Sequence, residues 1–144
     1  KNNIKIGDSV VGLESSGFHS NGITTIRKYT VRDKFHDTRQ VPPVDIEWLS
    51  YLLEPTTIYV EHIERIRKSK VELKALAHNL SVRYEREDVF YRHHQLFQWI
   101  QTKAKMTMEE MRNTFNCGIG MVMILAPEDV EKLPVDTIPL GEIV

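Results

Sequence analysis

Apolar and polar positions along this chain follow two rhythms, one of period two and one near 3.6. After the turn residues Gly7-Asp8, Ser9 to Leu13 is mostly apolar and reads as a strand. From Ser20 or Asn21 to about Val31 the spacing predicts a helix, with Ile23, Ile26 and Thr30 on one side. Thr24 and Thr25 weaken that helix somewhat, because β-branched side chains lose rotamer freedom in it. Residues 32–45 are charged and contain Pro42-Pro43, which removes donors and predicts an irregular connector. Ile46 to Leu53 predicts a short helix burying Trp48, Leu49 and Leu52, ended by Pro55. Tyr59 to Lys68 is the clearest amphipathic stretch, its stripe traced by Val60, Ile63 and Ile66 or Arg67. Val71 to Ala77 alternates as a strand, and so does Val82 to Arg86. His93 opens a helix whose core side is Leu96, Phe97, Trp99 and Ile100.

Thr107-Met108-Glu109-Glu110 has the form of a capping box and starts a helix through about Thr114, burying Met108 and Met111. Ile119 to Leu125 is apolar throughout, as expected of a central strand covered on both faces. Pro127 to Glu131 predicts a short helix with Pro at its first position, and Thr137 to Val144 a closing strand. Strands and helices in this order predict the α+β class: a mixed sheet of about five strands flanked by helices, not a doubly wound parallel sheet.

The bulk properties narrow the function classes. A chain of 144 residues is one domain by length and buries enough surface to fold without staples. Residues 1–6 are polar and read as a linker to it. With 19 basic and 20 acidic residues the formal charge is −1, which makes no case for nucleic acid or an anionic membrane as partner. No apolar run reaches the roughly 18 residues of a membrane span. The single cysteine, Cys117, excludes an intrachain disulfide and suits a reducing, cytoplasmic setting. No P-loop pattern and no dense acidic cluster for a metal are present.

One stretch carries chemistry: Gly12-Leu13-Glu14-Ser15-Ser16-Gly17-Phe18-His19-Ser20-Asn21-Gly22. A strand, a polar glycine-punctuated turn and a helix start make a common anion site, because free N–H groups and the helix dipole meet there. Gly17 and Gly22 allow a bend or close backbone approach. Ser16, Ser20 and Asn21 either cap the helix or hold a ligand oxygen. His19 donates to an anion or moves a proton near neutral pH. The same residues also fit a plain turn. Asn116, Gly118 and Gly120 form a second block that fits either a ligand contact or a structural strand entry. Cys117 between them has no base partner in the sequence and reads as a packed thiol. His36, His62, His93 and His94 lack metal-ligand spacing and read as structural or solvent-facing, so no metal site is expected. The basic end of the 59–68 helix (Arg65, Arg67, Lys68) reads as a solvated helix terminus that complements the dipole, against a phosphate site.

The literal residues resemble a known family. The block from Gly12 to Gly22 is similar to the signature opening the C-terminal domain of the aminoimidazole ribonucleotide synthetases, or phosphoribosylformylglycinamidine cyclo-ligases. Thr114-Phe115-Asn116-Cys117-Gly118-Ile119-Gly120-Met121-Val122 resembles a second family block, and Pro55-Thr56-Thr57-Ile58-Tyr59-Val60 a third. The resemblance implies a partly ferredoxin-like topology and a domain spanning residues 1–144, with the ATP-binding N-terminal domain absent. It implies ATP-dependent closure of the imidazole ring of formylglycinamidine ribonucleotide in purine biosynthesis. ATP and Mg2+ would be held mainly by the N-terminal domain, so the 144-residue piece alone would be inactive. The partners implied are that domain, the substrate and a second copy in a homodimer. His19 and His78 are the implied cleft histidines. Ser16, Gly17, Ser20, Asn21, Gly22, Asn116 and Gly118 are the implied substrate or phosphate contacts.

The chain departs from the family after His78. There the family continues with a Thr-Gly-Gly-Gly loop, whereas Asn79-Leu80-Ser81 follows here. Either the loop is deleted or the sequence joins two sides of a segment missing from it. The well-kept blocks on both sides favour the second, and a His78–Asn79 Cα spacing of about 3.8 Å would exclude it. Arg112-Asn113 also differs, its arginine standing one place from the family's. Two alternatives remain beside the cyclo-ligase. One is a related enzyme of the formylglycinamidine synthetase, selenophosphate synthetase or thiamine phosphate kinase type. The other is a stand-alone, non-catalytic binding domain.

Overall fold

The structure, a computed structural model, describes residues 3–30, 53–78 and 95–144, with Thr30 and His78 described by backbone alone. Among the described residues, four strands form one sheet in the order β2-β3-β1-β4: β1 (Ser9–Glu14), β2 (Leu73–His78), β3 (Ile119–Leu125) and β4 (Ile138–Glu142). Every pairing among them is antiparallel. The class is therefore α+β as expected, while the described sheet is antiparallel where a mixed one was expected. The reason lies in the connections. Helices between strands do not force parallel pairing when the chain returns along an adjacent strand in the opposite sense. The strand expected at 82–86, the junction after His78, the connector at 32–45 and all but Leu53 of the helix at 46–53 lie outside the described residues.

The helices among the described residues are α1 (Ile23–Thr30), α2 (Val60–Lys68), α3 (Gln95–Ala104) and α4 (Met108–Thr114), with a 3-10 turn at Pro127–Lys132. The capping box forms as its pattern predicts. The Glu110 N–H donates to Thr107 Oγ1 at 3.2 Å and the Thr107 N–H to Glu110 Oε2 at 2.8 Å. The Thr107 N–H, and after it the Thr107 hydroxyl at 3.1 Å from Oε2, hold the Glu110 carboxyl below its usual range.

Successive side chains of a strand point to opposite faces, and two cores result. Val10, Val122 and Ile124 face a core closed by Ile26 of α1, Leu96, Phe97 and Ile100 of α3, and Met111 of α4. Val11, Leu13, Met123 and Leu125 face a smaller one with Tyr59 and Ile66. β3 lies between β2 and β1 and serves both cores, which is why it is apolar at consecutive positions. In β2 the register shifts between Leu73 and Ala75, so Leu73 packs in the smaller core and Ala75 against the larger. In α2 the buried stripe is Tyr59, Ile63 and Ile66, whereas Val60, which the spacing had placed on it, is 64% exposed. The tyrosine just before the helix takes the seat that the periodicity had given to Val60.

At the start of the chain, Lys5 N–H donates to Asp8 Oδ2 at 2.7 Å and Gly7 N–H to the Ile143 carbonyl at 2.8 Å. Asp8 is buried and pairs with Lys74 at 2.5 Å, tying the entrance of β1 to β2. The chain is thus fastened just before β1 enters the sheet.

Candidate functional site

β1 and β2 end, and β3 begins, at the same end of the sheet. Leu13 and His78 both stand opposite Met121. The three blocks singled out in the sequence meet there. Leaving β1, the Ser15 N–H donates to the Gly118 carbonyl at 2.9 Å. The Ser15 hydroxyl donates to Asn116 Oδ1 at 3.4 Å, and Asn116 Nδ2 donates to the Gly17 carbonyl at 2.8 Å. Asn116 Oδ1 also accepts from the Gly118 N–H at 3.0 Å. Asn116 is wholly buried, so its amide is committed to clamping the first block to the second.

Cys117 and Gly118 make the turn with consecutive left-handed backbones, φ +49° and +93°. Cys117 is buried and its thiol is pushed up to about 12, chiefly by burial, with Arg112 opposing. A thiol so held stays protonated at neutral pH and is no nucleophile.

The turn before α1 is anchored by aromatic packing. The Phe18 ring stands 4.5 Å from that of Phe97 and 5.4 Å from that of Phe115. Gly22, at φ +73°, lies under Phe115, and a Cβ there would overlap the ring. The Gly22 carbonyl accepts from the Ile26 N–H at 3.0 Å, so α1 starts after the turn rather than within it.

The third block closes over the first. The Ser16 hydroxyl donates to the Pro55 carbonyl at 2.8 Å. The Thr57 N–H donates to His19 Nε2 at 3.5 Å, and His19 itself has a left-handed backbone, φ +55°. The Tyr59 hydroxyl donates to the Glu14 carbonyl at 2.7 Å. Burial raises the phenol's pKa above its ordinary value. Gly120 makes this fit possible, because a Cβ there would overlap the Tyr59 hydroxyl.

Beside these contacts lies a cavity of about 540 Å³ on the smaller-core side, within the range of small-molecule sites. Ser15, Ser16, Thr57, Tyr59, His62 and Arg65 line it, together with residues 133–136. Its polar groups are of both signs, Arg65 against Glu14 and Asp136. Among the described residues, no group of three or more His, Cys, Asp and Glu could hold a metal ion.

The expected site residues divide. Ser16 lines the cavity, and His19 stands against two of its lining residues, Thr57 and Tyr59. Gly17, Asn116 and Gly118 join the same cluster as structural clamps. Ser20 is exposed, and Asn21 and Gly22 are half-buried in the turn leading to α1. His78 ends β2 at this end of the sheet. Sequence reasoning missed Thr57, Tyr59, His62 and Arg65 as part of the site. The signal was there in the spacing of Tyr59, His62 and Ile66, which puts His62 on the inward side of α2.

Fold and cleft together describe an α+β domain with a ligand-sized polar cavity at the end of its sheet. No family model matches the chain, but curated relatives do. A phosphoribosylformylglycinamidine cyclo-ligase of Methanopyrus kandleri is 37% identical over 152 residues, taking in 94% of this chain and 41% of the relative. The enzyme of the same name from Thermoanaerobacter sp. (strain X514) is 34% identical over 144 residues, 90% of this chain and 42% of its own. That of Methanothermobacter thermautotrophicus is 36% identical over 143 residues, 88% of this chain and 40% of its own. The chain belongs to the phosphoribosylformylglycinamidine cyclo-ligase family and spans about two fifths of the length of the relatives it matches.

Proposed function

We propose that this chain is the C-terminal domain of an ATP-dependent cyclo-ligase that converts formylglycinamidine ribonucleotide to aminoimidazole ribonucleotide in purine biosynthesis. The observation that carries the reading is the convergence of all three family blocks at one sheet end, beside a ligand-sized cavity. The relatives' name and the 94% coverage of this chain support it. In the reaction, the formamide oxygen takes the γ-phosphoryl group of ATP and ADP leaves. An internal nitrogen then attacks the activated carbon, expels phosphate and closes the ring. Such chemistry needs two phosphorylated molecules aligned and charge stabilised on the transferring group.

In this reading Ser16 and His19 contribute polar contacts to the substrate, with the N–H groups of the turn before α1 turned to its anionic part. Ser20, Asn21 and His78 belong to the same proposed surface. Gly17, Gly22, Asn116 and Gly118 hold the turn in shape. ATP and Mg2+ are bound mainly by an N-terminal domain, through which the enzyme also forms a cytoplasmic homodimer. The fifth strand and the partly ferredoxin-like topology belong to this reading too. No helix among the described residues is long and apolar enough to cross a membrane.

The test is ring closure by the complete gene product, supplied with ATP and formylglycinamidine ribonucleotide. Turnover that falls about a hundredfold in His19→Asn, a substitution suited to the left-handed backbone, is the expected result. A complete chain with no ring-closing turnover would overturn the cyclo-ligase reading and leave the related-enzyme and binding-domain readings.

A further inference from the structure

We propose that the third block fixes the tautomer of His19: the Thr57 backbone N–H holds Nε2 as an acceptor, so neutral His19 carries its proton on Nδ1. The Tyr59 ring, seated over Gly120, keeps the imidazole in that pose. Tyr59 and Gly120 are thus positioning residues for a histidine they do not neighbour in sequence.

Four observations converge on this. The left-handed backbone of His19, φ +55°, sets the direction in which its side chain leaves the turn. The Thr57 N–H approaches Nε2 at 3.5 Å. An N–H has no lone pair, so a proton on Nε2 would set two donors against each other there. Tyr59 cannot drift, because it is buried and its hydroxyl donates to the Glu14 carbonyl at 2.7 Å. Its ring centroid lies 6.3 Å from that of His19, inclined at 57°. Gly120 serves both rings, since a Cβ there would overlap the Tyr59 hydroxyl and come within 2.8 Å of His19 Cε1, the carbon between the two ring nitrogens. A side chain at position 120 therefore disturbs the ring that must be held and the ring that holds it.

The consequence is chemical. With Nε2 engaged by the main chain, neutral His19 is not a base through Nε2, and its Nδ1 is buried in the turn. A catalytic consequence rests on the reading of His19 as a substrate contact, whereas the tautomer does not.

The experiment is nuclear magnetic resonance of the complete gene product labelled with 15N-histidine. It is recorded about two pH units above an ordinary imidazole pKa. The His19 signals are assigned by their loss in His19→Asn. The expected pattern is protonated Nδ1 and unprotonated Nε2. Gly120→Ala should move the pattern toward Nε2–H and lower kcat roughly tenfold to a hundredfold, with a smaller change in KM. Tyr59→Phe, which keeps the ring and loses its anchor, should move it in the same direction by less. It also provides the readout if Gly120→Ala does not fold. An Nε2–H pattern in the unaltered protein would overturn the proposal, as would an unchanged pattern in every variant that folds. An Nδ1–H pattern in a protein without ring-closing activity would support the tautomer assignment and remove the functional reading alone.

Discussion

The two faces of the sheet are made by the same strands and differ in what covers them. Under α1, α3 and α4 the face is closed by aromatic and aliphatic side chains, among them Phe18, Phe97 and Phe115. On the other side a single described α-helix, α2, and the segment after β3 cover the smaller core, which is bordered by a polar cavity. The contrast separates two jobs within one signature turn. Phe18 and Gly22 belong to the closed face and hold the turn rigid. Ser16 and His19 stand toward the open side, where hydroxyl and imidazole meet Pro55 and Thr57. A motif read in sequence as one ligand loop is, in space, an anchor and a presenting edge.

Removing the anchor is the strongest way to break this contrast. Phe115→Ala empties a wholly buried site that three partners share, Phe18, Phe97 and Gly22. It should cost about 3–5 kcal/mol in denaturant unfolding. Ile66→Ala, equally buried in the smaller core, should cost about 2–4 kcal/mol. Equal losses would erase the difference between the faces. Asn116→Ala comes next, at about 1–3 kcal/mol, because it leaves the Gly17 carbonyl and the Gly118 N–H without their buried partner. If it weakened substrate binding while the unfolding midpoint held, Asn116 would be a ligand contact rather than a clamp.

Thr107→Ala should lower stability by about 1 kcal/mol through the lost cap of α4, without altering the cavity side. The smallest effect concerns pH. The Lys74 hydrogen bond, aided by the Lys5 N–H, holds the Asp8 carboxyl below its ordinary value of 3.8. Its stabilising contribution is complete above that pH and is lost as the pH falls through the lower folded-state value. Acid unfolding curves of the native protein and of Asp8→Asn should therefore converge at low pH, and parallel curves would refute the pairing.

Much of the fold was legible because its signals are local. The capping box at Thr107, the two-sided apolar run of β3 and the proline opening the 3-10 turn depend on neighbours within a few residues. The exposed Val60 was misplaced because periodicity gives a helix its stripe but not the residue at which the stripe begins. The antiparallel sense of the described pairings was not legible for a related reason, since strand direction depends on partners far apart in sequence.

For the site, the sequence by itself determined the blocks: the glycines at 12, 22, 118 and 120, the histidine at 19, and the family those letters point to. Only the tertiary structure decided what each letter does. Asn116 became a clamp because residues about a hundred positions away in sequence present the Gly17 carbonyl to it. Gly120 became a seat for Tyr59 because α2 returns across the start of β3. Cys117 became inert because burial, not residue type, sets whether its thiol ionises. Hydrogen-bond partnership and desolvation belong to the space around a residue, and a sequence assigns that space only after the chain has closed on itself.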